Sequence, residues 1–150
     1  MKKRLLIDEE KCTGCNSCIL TCSFYHYDLF SFAKSRIQVE KNPEKAISKP
    51  RVCIQCEEAP CISACPVNAL SKDQTTSAIR LDKGLCTSCR ACVTACPYDG
   101  IFFDEDGNLP LICDLCDGNP TCIEVCQLPQ AIRYETIGIS ANKRQGGGNG

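Results

Sequence analysis

Short apolar runs separated by polar turns predict small strands and tight hairpins along this chain. Ser35–Glu40 alternates apolar with polar side chains, which is typical of a half-buried strand. Leu70–Lys72 and Ala78–Leu81 flank a polar stretch and are predicted to form one hairpin. Ile101–Asp104 and Leu109–Ile112 flank a turn with an Asp-Gly pair, which predicts a second hairpin. Two further short extended segments are predicted near the ends, at Leu5–Asp8 and Ala131–Ile137.

Four short helices are predicted between these segments. At four places two cysteines are four residues apart, which is about one helical turn. A branched apolar residue follows the first cysteine of every pair, and a small or branched residue precedes the second. The predicted first turns are Cys18–Cys22, Cys61–Cys65, Cys92–Cys96 and Cys122–Cys126.

Cysteine dominates the composition, with 16 in 150 residues, a density that marks a cysteine-built scaffold. Apolar residues make up 43% of the chain when cysteine is counted among them. Without cysteine roughly a third remains, which is a modest supply for a hydrophobic core. The fold is therefore expected to depend on cross-links of some kind.

Charge and hydropathy exclude several functional classes. The formal net charge of −1 gives nucleic-acid binding no electrostatic support. The apolar runs are far shorter than a membrane span requires. The basic start at Lys2–Arg4 is followed by only three apolar residues, too few for a secretory signal. A cytoplasmic location is expected, where thiols stay reduced and metal binding is favoured over disulfide formation.

All 16 cysteines fall into four groups of four. In every group two residues separate the first two cysteines and three separate the last two, whereas the middle spacing varies. Proline follows the fourth cysteine of the second and third groups, at Pro66 and Pro97. The groups are Cys12, Cys15, Cys18 and Cys22; Cys53, Cys56, Cys61 and Cys65; Cys86, Cys89, Cys92 and Cys96; and Cys113, Cys116, Cys122 and Cys126.

This spacing suits the iron–sulfur cubane. Three cysteines in a tight loop can hold three iron atoms, and the fourth, one helical turn further on, can reach a neighbouring cluster. The bacterial ferredoxin pattern C-x2-C-x2-C-x3-C-P works in this way, and the group from Cys86 to Cys96 matches it in full. Structural zinc is disfavoured, because it uses C-x2-C knuckles separated by a longer spacer. Disulfides are disfavoured, because no export signal supports an oxidising compartment.

The pairing of the groups stays open from spacing alone. Sequential pairing joins the first group to the second and the third to the fourth. Nested pairing joins the second to the third and the first to the fourth, and both are sterically possible. The two Cys-Pro steps favour treating the second and third groups as one unit.

With Pro60 before Cys61, Pro120 close before Cys122 and Cys-Pro closing the middle groups, the chain resembles a known family. These are the four-cluster electron-transfer subunits of molybdenum and tungsten enzymes, among them dimethyl sulfoxide reductase and formate dehydrogenase. Small size and the absence of a membrane anchor make it most similar to the iron–sulfur subunit of tungsten aldehyde oxidoreductase. The resemblance implies an α+β fold of two bacterial-ferredoxin-like units, one nested in the other. The outer unit would span 1–52 plus 97–140, the inserted unit 53–96, and a flexible glycine-rich tail 141–150.

The resemblance also implies nested ligation of four 4Fe–4S clusters. The last group departs from the family pattern, because Gln127 follows Cys126 and proline comes only at Pro129. The turn after Cys126 is therefore expected to differ from that of the family. The implied ligand sets are Cys12, Cys15, Cys18 and Cys126; Cys113, Cys116, Cys122 and Cys22; Cys53, Cys56, Cys61 and Cys96; and Cys86, Cys89, Cys92 and Cys65.

These expectations describe an electron-transfer subunit without catalytic residues of its own. It would pass single electrons between a tungsten or molybdenum catalytic subunit and a second redox partner, such as a flavin subunit or a ferredoxin. Copies of the chain could also associate. The sequence shows no paired carboxylates, phosphate loop or nucleophile motif arranged for substrate chemistry. The alternatives are a free soluble polyferredoxin and a cluster-assembly or scaffold protein.

Some residues beside the cysteines are candidates for setting reduction potentials. Cations near a cluster favour its reduction, although a solvated surface charge is the plainer interpretation of each one. His26 is interpreted as structural, Tyr98 as packing near a cluster, and Phe24–Phe32 as either a partner surface or an element buried between the units. The candidate cations are Lys11, Arg51, Lys83 and Arg90.

Overall fold

The computed structural model describes residues 3–126 and 130–136, and within them the chain forms eight short strands and four α-helices. The strands are β1 (Lys3–Ile7), β2 (Ile37–Asn42), β3 (Ile47–Val52), β4 (Leu70–Lys72), β5 (Ile79–Leu81), β6 (Ile101–Phe103), β7 (Pro110–Ile112) and β8 (Ile132–Thr136). The helices are α1 (Ser17–Tyr27), α2 (Pro60–Ala64), α3 (Ala91–Ala95) and α4 (Thr121–Val125). Within these ranges no helix reaches the length and hydropathy that a bilayer span requires.

The strands pair as separate antiparallel ribbons of two strands each. Three ribbons are hairpins between consecutive strands, β2–β3, β4–β5 and β6–β7. The remaining ribbon joins β1 to β8, with Leu5 opposite Tyr134 and Ile7 opposite Ile132. An isolated two-stranded ribbon is marginal in water. The ribbons must therefore gain their stability by packing against the rest of the molecule.

Both predicted hairpins are confirmed, and the strand predicted at Ser35–Glu40 corresponds to β2, which begins two residues later. Strand β3 was missed, because Pro50 lacks a backbone donor and argues against a strand. In a two-stranded ribbon each strand has an open edge, so Pro50 is accommodated opposite Val39. The predicted end of the last strand at Ile137 and the tail over 141–150 lie outside the described residues.

All four predicted helical turns form, and the third cysteine of each group is the second residue of its helix. α2 and α3 end directly before Cys65 and Cys96. Pro66 and Pro97 follow these cysteines, and the residue before proline is disfavoured in helical conformation. α1 continues past its predicted first turn to Tyr27, whereas α4 ends before Cys126 although no proline follows that cysteine directly.

Helix packing divides the apolar residues into two cores. α1 packs against α4, and α2 packs against α3. The first core combines segments from both ends of the described chain, including Leu5, Ile19, Ile37, Leu115 and Ile132. The second core is built from the middle of the chain, including Ala59, Leu70, Ile79, Ile101 and Ile112. Buried cysteines belong to both cores, so each core is arranged around sulfur.

Candidate metal centres

Four cavities in the structure are each lined by four cysteines, and each cavity takes three of them from one group and one from another. Cavity I is lined by Cys12, Cys15, Cys18 and Cys126. Cavity II is lined by Cys22, Cys113, Cys116 and Cys122. Cavity III is lined by Cys53, Cys56, Cys61 and Cys96, and cavity IV by Cys65, Cys86, Cys89 and Cys92. All 16 cysteines are thus brought together in the sets that nested ligation predicts, and ligation itself stays a prediction.

The two helix pairs explain why the fourth cysteine crosses to another group. In α1, Cys18 lines cavity I and Cys22, about one turn later, lines cavity II. Helix α4, which packs against α1, supplies its cysteines in the reverse order: Cys122 lines cavity II and Cys126 lines cavity I. α2 and α3 repeat this exchange between cavities III and IV.

A left-handed residue lies two positions after the first cysteine of every group. These residues have φ values between 57° and 71°. Such backbone turns amide groups inward: the N–H of Leu115 donates to Sγ of Cys113 at 3.4 Å. The backbone groups of Gly14 and Gln55 act against the burial that raises the pKa of Cys12 and of Cys53. The four left-handed residues are Gly14, Gln55, Ser88 and Leu115.

The fourth cysteine of a group receives its amide in one of two ways. Where proline ends the helix, the backbone N–H four residues after the cysteine donates to its sulfur. Ala69 donates to Cys65 at 3.3 Å, and Gly100 donates to Cys96 at 3.5 Å. Helix α1 continues past Cys22, so no amide four residues later is free. The N–H of Arg36 donates to Sγ of Cys22 instead, at 3.4 Å. The residues after Cys126, including Gln127 and Pro129, lie outside the described part of the chain.

Burial of the sulfur atoms indicates what the cavities can hold. It raises the pKa of Cys18 and of Cys53 to about 12, and that of Cys61 to about 11. Four thiolates in one such cavity therefore require a compensating positive charge from bound metal. Thiolates are soft ligands suited to iron–sulfur clusters, and four cysteines complete the ligand set of a 4Fe–4S core. The donor sets and the inward-facing amides fit that group.

Cavity II is distinct because buried charged side chains border it. Nε2 of His26 lies 3.0 Å from Oδ1 of Asp114, and Nη1 of Arg36 lies 3.0 Å from Oδ2 of the same carboxylate. Burial opposes the charged ring, but the hydrogen bonds to Asp114 and Cys22 raise the pKa of His26 to about 9. Burial also opposes the Asp114 carboxylate, whose partners His26 and Arg36 nevertheless hold its pKa at about 2.

Arg36 had no signal in the sequence, because it stands 14 residues beyond Cys22 and reaches the sulfur only through the fold. Of the four candidate cations, Arg90 borders a cavity, cavity IV, and lies 4.2 Å from the Phe103 ring centroid. Lys11 pairs with Asp8 at 3.7 Å, and Lys83 is exposed. Arg51 pairs with Glu40 and Asp99.

The aromatic residues also divide between cavity and surface. Tyr98 borders cavity III, as its place after Cys96-Pro97 suggested. Phe24, Phe30 and Phe32 are exposed, and the rings of Phe24 and Phe30 stack at 4.9 Å. The hydroxyl of Tyr25 donates to the carbonyl oxygen of Cys116 at 3.4 Å, which ties this surface to cavity II.

Two sequence-family models match the chain, and both are described as a 4Fe-4S dicluster domain. One matches residues 45–134 and the other residues 11–70. The chain belongs to the 4Fe-4S dicluster domain family. This membership makes 4Fe–4S clusters the cofactor of this chain, as the spacing predicted.

Relatives of this dicluster chain include subunits of oxidoreductases. The aliphatic sulfonate oxidoreductase, polyferredoxin-like subunit, of Pyrococcus furiosus is 43% identical over 123 residues, covering 81% of this chain and 70% of the relative. The NADH-dependent phenylglyoxylate dehydrogenase subunit beta of Aromatoleum evansii is 37% identical over 125 residues, covering 81% of this chain but only 28% of the relative.

A solved structure shares the fold. It is a chain of the active site complex BamBC of benzoyl coenzyme A reductase, with a TM-score of 0.51 and 31% sequence identity. The match covers 89% of the present chain and 79% of the solved one. Because the match covers 89% of the present chain, the structural similarity extends over both cores.

Proposed function

We propose that the chain is an electron-transfer subunit that passes single electrons through four 4Fe–4S clusters, one in each of cavities I to IV, and carries no catalysis of its own. The observation that carries this proposal is that every cavity offers four cysteine sulfurs, the full ligand set of one cubane. The protein residues hold and space the clusters and supply amide hydrogen bonds, while the clusters supply the one-electron redox chemistry.

The proposed path runs through the cavities in the order I, II, III, IV. α1 connects cavity I to cavity II through Cys18 and Cys22. Cys113 of cavity II packs against both cores, which connects cavity II to cavity III. α2 and Cys65 connect cavity III to cavity IV. The two end cavities each have an exposed cysteine, Cys15 and Cys89, so electrons would enter and leave at these ends.

The proposed architecture is nested. An outer ferredoxin-like unit over 1–52 plus 97–140 would enclose an inserted unit over 53–96. The packing of α1 on α4 and of α2 on α3 supports this division. Ile101 and Ile112 lie in the second core, so the apolar packing of the inserted unit extends into the β6–β7 hairpin.

The proposed partner is a catalytic oxidoreductase subunit in the cytoplasm, with a tungsten or molybdenum site of the aldehyde-oxidising kind, and a flavin subunit or ferredoxin would serve the other end. Two relatives described as subunits of oxidoreductases support the general role. The cysteine pattern supports a molybdenum or tungsten partner through the family resemblance, and the choice of the aldehyde-oxidising tungsten kind rests on the small size of the chain and on its apolar runs being too short for a membrane span.

Metal analysis after anaerobic purification tests the cluster number. Four cubanes require about 16 irons and about 16 acid-labile sulfides per chain. About eight irons, or zinc in their place, would contradict the proposal. Anaerobic affinity capture with mass spectrometry then tests the role. One large subunit, bound stoichiometrically and containing tungsten or molybdenum, is the expected result, whereas a chain that purifies alone would indicate a free polyferredoxin.

A further inference from the structure

The four cavities differ in the charge of the side chains that border them. Among the described residues, the linings of cavities I and III contain no charged side chain, although Lys41 lies close enough to act on Cys12 of cavity I. Cavity III is bordered by Ile54, Ile79 and Ile101. Cavity IV is bordered by Arg90, an exposed residue. Cavity II is bordered by both His26 and Arg36, whose side chains are 8% and 18% exposed.

Hydrogen-bond geometry makes His26 a cation. Nδ1 lies 2.8 Å from the carbonyl oxygen of Cys22, and Nε2 lies 3.0 Å from Oδ1 of Asp114. A carbonyl oxygen and a carboxylate oxygen only accept, so both ring nitrogens must donate, and a ring with two donors is positively charged. The same Nδ1 lies 3.8 Å from Sγ of Cys22.

Arg36 adds a second positive charge to the lining of cavity II. Its backbone N–H donates to Sγ of Cys22 at 3.4 Å, and its guanidinium Nη1 donates to the carbonyl oxygen of Ile112 at 3.2 Å and to Asp114. Within the described residues, Nε of Arg36 is buried without a hydrogen-bond partner. The guanidinium is therefore incompletely compensated by the protein atoms around it.

One carboxylate faces these two cations. Asp114 contacts both His26 and Arg36, and Arg80 approaches it at 3.8 Å. Arg80 is balanced on its outer side by Asp117 at 2.7 Å and by Asp73 at 3.7 Å. The partly buried side chains that border cavity II therefore have an excess of positive charge.

We propose that Arg36 and His26 make the cluster of cavity II the most easily reduced of the four, so that the first electron taken up by the chain rests there. An added electron makes a cluster more negative by one charge, which nearby cations and hydrogen bonds to cysteine sulfur stabilise. The electron comes from the catalytic partner or, in an experiment, from a low-potential chemical reductant. This inference rests on the proposed function, since it requires all four clusters.

A redox titration of the anaerobic holoprotein, followed by electron paramagnetic resonance, tests the order of reduction. At one electron per chain a single cluster is paramagnetic, so its signal is free of coupling to the others. Cys22→Ser is expected to change this first signal, and Cys65→Ser to leave it unchanged. Iron and sulfide are measured first. Incomplete loading of the wild type would overturn the proposed function, whereas full loading with a first signal that Cys22→Ser does not change overturns only this inference.

Variants of the two cations supply a second measurement. Arg36→Gln is expected to lower the reduction equilibrium constant of the first cluster about tenfold, which is about 59 mV for one electron, and His26→Gln to shift it in the same direction. Arg36→Lys, which keeps the charge, is expected to recover most of the shift. Arg133→Gln, in the exposed β8 strand, is the matched control. An unchanged potential in both Arg36→Gln and His26→Gln, or an equal shift of all four clusters, would overturn the inference.

Discussion

The side-chain amide of Gln55 donates from Nε2 to the carbonyl oxygen of Cys113 at 2.5 Å, and so joins the second cysteine group to the fourth. Oε1 of the same side chain accepts from the N–H of Ile79 at 2.7 Å. Gln55 is only 3% exposed and has a left-handed backbone. A single buried side chain thus connects the ligand loops of cavities II and III.

Replacing Gln55 is therefore expected to loosen the junction between the two cores. Gln55→Leu keeps the approximate size but leaves the carbonyl of Cys113 and the N–H of Ile79 unpaired, at about 1–3 kcal/mol for each buried group. The temperature at which the visible absorbance of the clusters is lost, measured anaerobically, should fall. Gln74→Leu, at an exposed turn position, is the matched control and should melt like the wild type. Equal melting of the two variants would contradict a role for Gln55.

Nested ligation predicts that each fourth cysteine belongs to a distant group. Cys22→Ser should perturb the cluster held by Cys113, Cys116 and Cys122, and Cys126→Ser the cluster held by Cys12, Cys15 and Cys18. Serine is a harder ligand than thiolate, so the affected cluster should lose one iron or change its spectrum. Iron content and electron paramagnetic resonance of the two variants are the measurements. If Cys22→Ser instead alters the cluster at Cys12, Cys15 and Cys18, nested ligation is wrong.

The local parts of each site follow from the sequence because they depend on short-range rules. The C-x3-C step predicts one helical turn, and the proline after Cys65 and Cys96 ends that turn. The length of α1 does not follow from this rule alone, because α4 ends before Cys126 without a proline after that cysteine. The 4Fe–4S cofactor could likewise be predicted, because cysteines at this regular spacing fit iron–sulfur clusters better than zinc or disulfides.

Long-range relationships could not be predicted, because spacing leaves the pairing of the groups open. Gln55, His26 and Arg36 acquire their roles only when distant segments meet, at Cys113, Asp114 and Cys22. Strand β3 was not predicted, and its Pro50 is tolerated because each strand of a two-stranded ribbon has an open edge.

Gly100 is expected to be intolerant of a side chain. A Cβ added there would lie 2.8 Å from the N and Cα atoms of Cys53, which are backbone atoms and cannot rotate away. Overpacking of this kind costs about 1–3 kcal/mol, and the displaced cysteine lines cavity III. Gly100→Ala should therefore speed iron release from one cluster to a chelator. Gly84→Ala is the control, because its nearest neighbour is the side-chain oxygen of Asp82 at 3.3 Å. Equal release rates in the two variants would exclude this steric role.

Removing the clusters is expected to unfold the chain, rather than to leave a folded metal-free protein. The cavities lie among the apolar residues of the two cores. The strands around them are ribbons of two, which are marginal without packing, and metal binding of this kind is coupled to folding. Anaerobic treatment with an iron chelator should abolish the far-ultraviolet circular dichroism of the ribbons and short helices together with the visible absorbance. Reconstitution with iron and sulfide should restore both signals in parallel. A metal-free chain that keeps its circular dichroism would show that the cores are stable without the clusters.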